Sequence, residues 1–332
     1  MQSVRDHIIT KLLIRMIPWL ITFAAIYFAF RDVDWQVFFG NLKTANLLYI
    51  LCAIVLTIIS YFLRSYRWVF LFPKQNISFY DSAKVLFLGF FMNNILPART
   101  GELVRAHFGA KVTKNKRTHV LGTIASERLA DGLTISVLFT LFGFHLGSSK
   151  DLDAMLYISI FFAVIVTAVL IVLAFRNQVF SLIEVLASKT NRKVGHYASD
   201  RIKTFIDSLS PLCSFRTAPR IAIWSLSIWI IELFVYWFVS HAFSAQLELS
   251  MCVLFLAAVN FSSLIPAAPG GIGVIEAVAS AVLVSAGVDK ELALPMVMVQ
   301  HIIQIIVVGI PGAWVMSQWK ISKNEIEEAS DA

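Results

Sequence analysis

Six apolar stretches, at 12–30, 45–63, 119–146, 154–175, 220–244 and 292–317, are each long enough to cross a bilayer core as a helix, which takes about 20 residues. Two further apolar stretches, beginning at 82 and 251, do not continue in the same way. The first runs FLGFFMNNILPARTGELVRAHFGA and the second LAAVNFSSLIPAAPGGIGVIEAVASAVL. Each is interrupted by Pro and Gly and then resumes. Pro removes a backbone donor and stops a helix, and Gly supplies the dihedrals of a tight return. Taken alone, each segment reads either as a full crossing or as a re-entrant hairpin, at 82–110 and 251–286.

Charge decides between the two. With both segments returning to their side of entry, 22 of the 28 Lys and Arg lie on one side. Arg31, Lys43, Lys150 and Lys290 lie on the other, and Arg99 and Arg128 are left at membrane depth. A full crossing at 82–97 would instead carry the basic tract 111–118 outside, against the cytoplasmic bias of Lys and Arg. The expected fold is therefore an all-α polytopic membrane protein with six transmembrane helices, two re-entrant helical hairpins and both termini cytoplasmic. The first span, with Pro18 and no small-residue cleavage pattern, is expected to be retained. Composition agrees: 58% hydrophobic residues against 15% charged excludes an ordinary soluble enzyme, a disordered chain and a disulfide scaffold. The cysteines, Cys52, Cys213 and Cys252, show no CxxC spacing. The net charge of +7 follows from the cytoplasmic loops and carries no nucleic-acid signal.

Two units repeat along the chain. Span, span, hairpin and span fill 1–150, and the same order fills 151–332, interrupted by a connector at 176–218. The second unit starts on the opposite side, so the repeat is inverted and its hairpin opens to the other face. Pro97 with Gly101, Pro266 with Gly270 and Pro269 with Gly273 share the spacing Pro-x-x-x-Gly. Broken helices at corresponding places in two halves mark the midplane sites of secondary transporters. The connector opens with an amphipathic stretch, 177–187, suited to the membrane interface. The rest reads as a polar, basic, solvated segment or a docking site for a partner.

Ionisable residues inside a membrane are costly, so they face the bundle interior, usually in pairs. Glu102, Glu127, Asp131, Glu232 and Glu276, with Arg99 and Arg128, fall at that depth. In SERLADG, Glu127, Arg128 and Asp131 reach one face of a helix at spacings of three and four. They form either a polar seam for a charged headgroup or a buried ion-pair lock. Arg99, at a hairpin tip beside a helix start, suits a phosphate. Arg105 reads as a second phosphate contact or an interfacial side chain. Asn93 and Asn94 either bind a ligand or cap the turn. Glu232 needs a partner, for which Arg99 and Arg128 are the candidates. His301 reads as a proton relay or a satisfied core histidine. No HExxH, GxSxG, paired-Asp or nucleotide-binding motif occurs, so no metal, cofactor or catalytic residue is expected.

NNILPARTGELVRA, SERLADG and IPAAPGGIGVIEA, in that order, resemble the membrane domain of lysylphosphatidylglycerol synthases, which also occurs as free-standing YbhN-like proteins, formerly UPF0104. The resemblance covers nearly the whole chain. It implies the flippase half of those synthases, which moves aminoacylated phosphatidylglycerol between leaflets. The residues matching its motifs are Asn94, Pro97, Arg99, Gly101, Glu102, Arg105, Glu127, Arg128, Asp131, Pro269, Gly270, Gly271, Gly273 and Glu276. The chain reaches Ala332 soon after its last span, so the resemblance implies transport without aminoacyl transfer. The expectation is a lipid flippase in a bacterial or archaeal cytoplasmic membrane, acting on anionic or phosphate-bearing headgroups. The competing readings are a scaffold for a lipid synthase or glycosyltransferase, and an intramembrane headgroup transferase.

Overall fold

The computed structural model describes residues 2–72, 76–96, 100–143, 150–188, 192–263, 265 and 267–330. Every long element among them is a helix. In chain order these are α1 (Gln2–Phe30), α2 (Trp35–Thr44), α3 (Leu47–Val69), α4 (Phe79–Ile95), α5 (Gly101–Thr113), α6 (Arg117–Gly143), α7 (Lys150–Ala174), α8 (Arg176–Ser188), α9 (Arg192–Ser208), α10 (Ala218–Ala242), α11 (Leu249–Ser262), α12 (Val274–Ser285), α13 (Lys290–Gln318) and α14 (Lys323–Ser330).

Three helices, α3, α10 and α13, are long and apolar enough to cross a membrane unaided. Two bent pairs join them: Met16–Phe30 turns by 88° into α2, and Ala163–Ala174 turns by 82° into α8. The sixth expected span, α6, is about 40 Å long. Its Glu127, Arg128 and Asp131 set it apart from a lipid-facing helix, and it packs inside the bundle against α5, α7, α10 and α11. Large apolar side chains such as Leu20, Phe23, Phe161, Val164, Ile223 and Ile310 stand exposed on the outer faces. A surface like that is covered by lipid rather than water.

The two interrupted segments form antiparallel helix pairs, α4–α5 and α11–α12. No limb exceeds 17 residues, or about 25 Å, short of the hydrocarbon core of about 30 Å. At the first hairpin, a Cβ on Gly101 would stand 2.3 Å from the Gly89 carbonyl, so only glycine admits this approach. At the second, Gly270, Gly271 and Gly273 take φ of 72°, 73° and 83°, the left-handed region that glycine enters without a Cβ clash. α11 is buried nearly all round, which explains why it is apolar on every face. It lies at the centre of the main core with α3, α10, α12 and α13.

Local signals set several boundaries. Asp34 accepts from the N–H groups of Gln36 and Val37 to start α2, and Asn46 caps α3. Ser78 caps α4 through Asp81 N–H.

Between the first two long helices lies the short helix α2, which stacks Trp35 on Phe30. The connector expected at 176–218 is helical and packed on one side while its other side stays exposed. From Arg192 it forms α9, which buries Ile206 beside Leu209 and Leu173 and packs on α6 and α8. Gly122 lets α6 meet Ser208 closely, and Lys203 bridges to Glu184 of α8. That bridge holds the exposed Glu184 carboxyl below its usual range.

Candidate functional site

The end of α4 and the tip of the second hairpin meet inside the bundle. Gly270 lies against the backbone of Asn94, with room for a Cβ only 3.8–3.9 Å from its nearest atoms. Around this meeting point lies a cavity of about 370 Å³. α3 contributes Tyr61 and Arg64, α4 Asn93 and Asn94, α5 Glu102, and α6 Arg128 and Asp131. Trp229 comes from α10, Asn260 from α11, Gly270 and Gly271 from the second tip, and His301 and Gln304 from α13. The volume falls within the range of small-molecule sites.

Four arginines answer four acids. Arg105 makes two bonds to Glu127, Nη1 to Oε1 at 3.0 Å and Nη2 to Oε2 at 2.7 Å. Its guanidinium lies 4.0 Å over the Trp68 ring, whose Nε1–H donates to Thr123. Both members of the pair are buried and stand away from the cavity lining. Arg67 donates to Asp131 Oδ1 at 2.6 Å and to Ser225 at 2.7 Å. Trp229 Nε1–H donates to the same Oδ1 at 2.9 Å. Arg64 spans Asp131 Oδ2 at 3.5 Å and Glu232 Oε1 at 3.2 Å, and Ser60 also donates to Glu232. These contacts tie α3 to α6 and α10.

The pair made by the fourth arginine differs in exposure. Arg128 Nε donates to Glu102 Oε1 at 2.7 Å, and the two side chains are 34% and 32% exposed, whereas those of the other four pairs are 8% or less. Arg128 and Glu102 both line the cavity, so a ligand can reach the charges of this pair and not those of Arg105–Glu127. Near them, Asn93 Oδ1 and Asn94 Nδ2 are buried and have no partner among the described residues. A buried amide left unpaired is costly, and a polar ligand would satisfy it.

The site residues read from the sequence separate into three groups. Asn94, Glu102, Arg128, Asp131, Gly270, Gly271 and His301 line the cavity together. Arg105, Glu127, Glu232 and Glu276 pack behind it in closed pairs, while Gly101, Pro269 and Gly273 shape the hairpins. Pro97, Arg99 and Pro266 lie outside the described residues. Among the described residues the ion-pair partner of Glu232 is Arg64, while Arg128 pairs with Glu102. Arg105 is not at an interface: it is 2% exposed and locked to Glu127.

A span ending at 63 would leave Arg64 and Arg67 in the cytoplasmic flank. The helix runs on to Val69 and carries both inside. A signal was there: Thr57, Ser60, Arg64 and Arg67 recur at three- and four-residue spacings, a polar stripe on an apolar helix. Removing Arg64, Arg67 and Arg105 from the flank leaves most of the basic residues on the same side.

The lysylphosphatidylglycerol synthase TM region family matches residues 8–312, from within α1 through most of α13. The chain belongs to this family. Among its relatives, a UPF0104 membrane protein of Pyrococcus horikoshii is 26% identical over 284 residues, 78% of this chain and 83% of that protein. A UPF0104 membrane protein of Methanocaldococcus jannaschii is 26% identical over 187 residues, 56% of this chain and 76% of that protein. The family match and the apolar helices agree that this is a multi-pass membrane protein.

Proposed function

We propose that this member of the lysylphosphatidylglycerol synthase TM region family moves a membrane lipid between leaflets, its phosphate-bearing headgroup passing through the cavity while its acyl chains stay in lipid. The observation that carries this reading is the reachable Arg128–Glu102 pair beside the unsatisfied amides of Asn93 and Asn94, in a 370 Å³ cavity where two broken helices meet. A phosphate replaces Glu102 on the Arg128 guanidinium, and the amides supply neutral hydrogen bonds. Irregular backbone at this depth is tolerated where it lines a polar cavity.

The packing supports two related halves. α4 of the first packs on α13 of the second, and α11 of the second on α6 of the first, while α3 and α10 pair directly. The first helix of each half also turns by more than 80° into a short helix. Alternating access comes from one half rocking against the other, with both termini and the 111–118 tract cytoplasmic.

The test is reconstitution in phospholipid vesicles carrying a headgroup-labelled phospholipid, with exposure read by quenching from outside. Wild-type protein exposes lipid faster than empty vesicles. Arg128→Ala slows exposure about 10- to 100-fold, the worth of one charge-assisted hydrogen bond, and remains folded. Equal rates in wild type, variant and empty vesicles would overturn the proposal.

A further inference from the structure

His301 faces the cavity from α13 and is tied at both ring nitrogens. Nδ1 lies 2.6 Å from Glu276 Oε1, and Nε2 lies 2.9 Å from the carbonyl oxygen of Gly270. The other carboxylate oxygen, Oε2, accepts from the Gly273 N–H at 2.6 Å. One side-chain pair thus holds the tip of the second hairpin to α13 at two backbone points.

The proton count follows from the contacts. A carbonyl oxygen only accepts, so Nε2 carries a hydrogen. A ring nitrogen and a carboxylate oxygen at 2.6 Å also need a proton between them, since two lone pairs at that distance repel. The closed clasp therefore contains two protons and is neutral overall. With one proton removed, the ring has a single hydrogen to offer two acceptors. One contact then sets lone pair against lone pair, and a net negative charge is left in a site that also holds Ile275, Ile305 and Val308.

We propose that His301 and Glu276 form a proton-binding site whose occupancy holds the second hairpin tip in place, so that headgroup passage is linked to the uptake and release of one proton. The transport half of this statement rests on the reading of the cavity as a headgroup route; the proton site does not. Gly270, Gly271 and Gly273 form the segment that moves, three glycines at positive φ on a tip anchored otherwise by Thr22 of α1 to the Ala268 N–H.

Other titratable groups among the described residues face the cavity or lie near it. Across the cavity stand Tyr61 and Arg64 of α3, Glu102 of α5, and Arg128 and Asp131 of α6. Glu232 and Tyr236 of α10 lie behind them, and Tyr236 is bonded to Gln300 beside His301. α4 and α11 face the cavity with the uncharged Asn93, Asn94 and Asn260. Lys290 and Glu291, at the start of α13 where α2 packs, are about 15 Å along the helix from His301.

Hydrogen exchange of the tip, residues 267–277, tests this in the full chain held in lipid nanodiscs, with rates corrected for intrinsic exchange. Because the closed tip binds the extra proton, raising pH opens it. Once the proton starts to leave, the opening constant rises about tenfold per pH unit, the slope of a single proton. Glu276→Gln keeps the contacts with one proton fewer, since its amide N–H donates to Nδ1 of the neutral ring and its oxygen accepts from Gly273. That variant gives a tip that stays protected as pH rises, and so does His301→Gln. A wild-type tip indifferent to pH, or a slope retained in Glu276→Gln, overturns the proton site.

The vesicle assay with an imposed pH gradient tests the linkage. Wild-type rates change with the direction of the gradient, and those of Glu276→Gln do not. Lipid movement indifferent to the gradient overturns the linkage and leaves the headgroup route standing. Absence of lipid movement overturns the route and the linkage together, and the exchange slope alone then decides the proton site.

Discussion

Glu127 and Arg128 are neighbours on α6 with different surroundings. Glu127 meets Arg105 in a closed, bidentate pair, whereas Arg128 meets Glu102 at the cavity wall. Removing one member of a fully buried pair leaves an uncompensated charge, at about 3–5 kcal/mol. Arg105→Leu is therefore expected to lower unfolding stability in detergent by that order, and Arg128→Ala, from a half-buried pair at the cavity wall, by clearly less. Equal losses in the two variants would contradict the division into lock and ligand contact. The acids were legible in the sequence because charge in an apolar run stands out. Their partners were not, because Arg64 and Arg67 lie more than sixty residues from Asp131 and looked like the end of a span. Only the stripe from Thr57 to Arg67 betrayed them.

The hairpins depend on close backbone approach, which is where substitutions at the element scale will tell. Gly101→Ala places a Cβ 2.3 Å from the Gly89 carbonyl and 2.5 Å from Asn93, so α4 and α5 must part. The expected result is a loss of about 1–3 kcal/mol, as for an overpacked core, together with slower lipid exposure. Gly309→Ala on α13 meets nothing within 4 Å and is expected to be neutral or to stabilise by up to about 1 kcal/mol through helix propensity. A Gly101 variant as stable as the Gly309 variant, by thermal unfolding in detergent, would contradict the packing described. Pro and Gly announced both breaks because they punctuate helices whatever the tertiary context, and the basic bias turned the breaks into hairpins. α9 escaped notice for the opposite reason. Its polar face dominates its composition, and its value to the fold lies in Ile206 and the Ser208 contact with Gly122.

At the scale of the molecule, hydrophobic length and basic bias made the membrane class and the number of long helices readable. The closed charge network and the approach of the second tip to α4 arise from contacts between distant segments, which no local pattern records. Topology carries a prediction of its own. Single cysteines placed at Lys114 and at Gln36 of α2 should label from opposite sides of the membrane, the first from the cytoplasmic face. Labelling of both from one side would break the inverted arrangement on which the route depends. The central claim is that the cavity holds a lipid headgroup at Arg128. Native mass spectrometry of the purified protein with its co-purifying lipids tests this most directly. The account predicts one phosphate-bearing headgroup class enriched on the wild type over the surrounding membrane and lost from Arg128→Ala; lipids matching the bulk membrane on both proteins would contradict it.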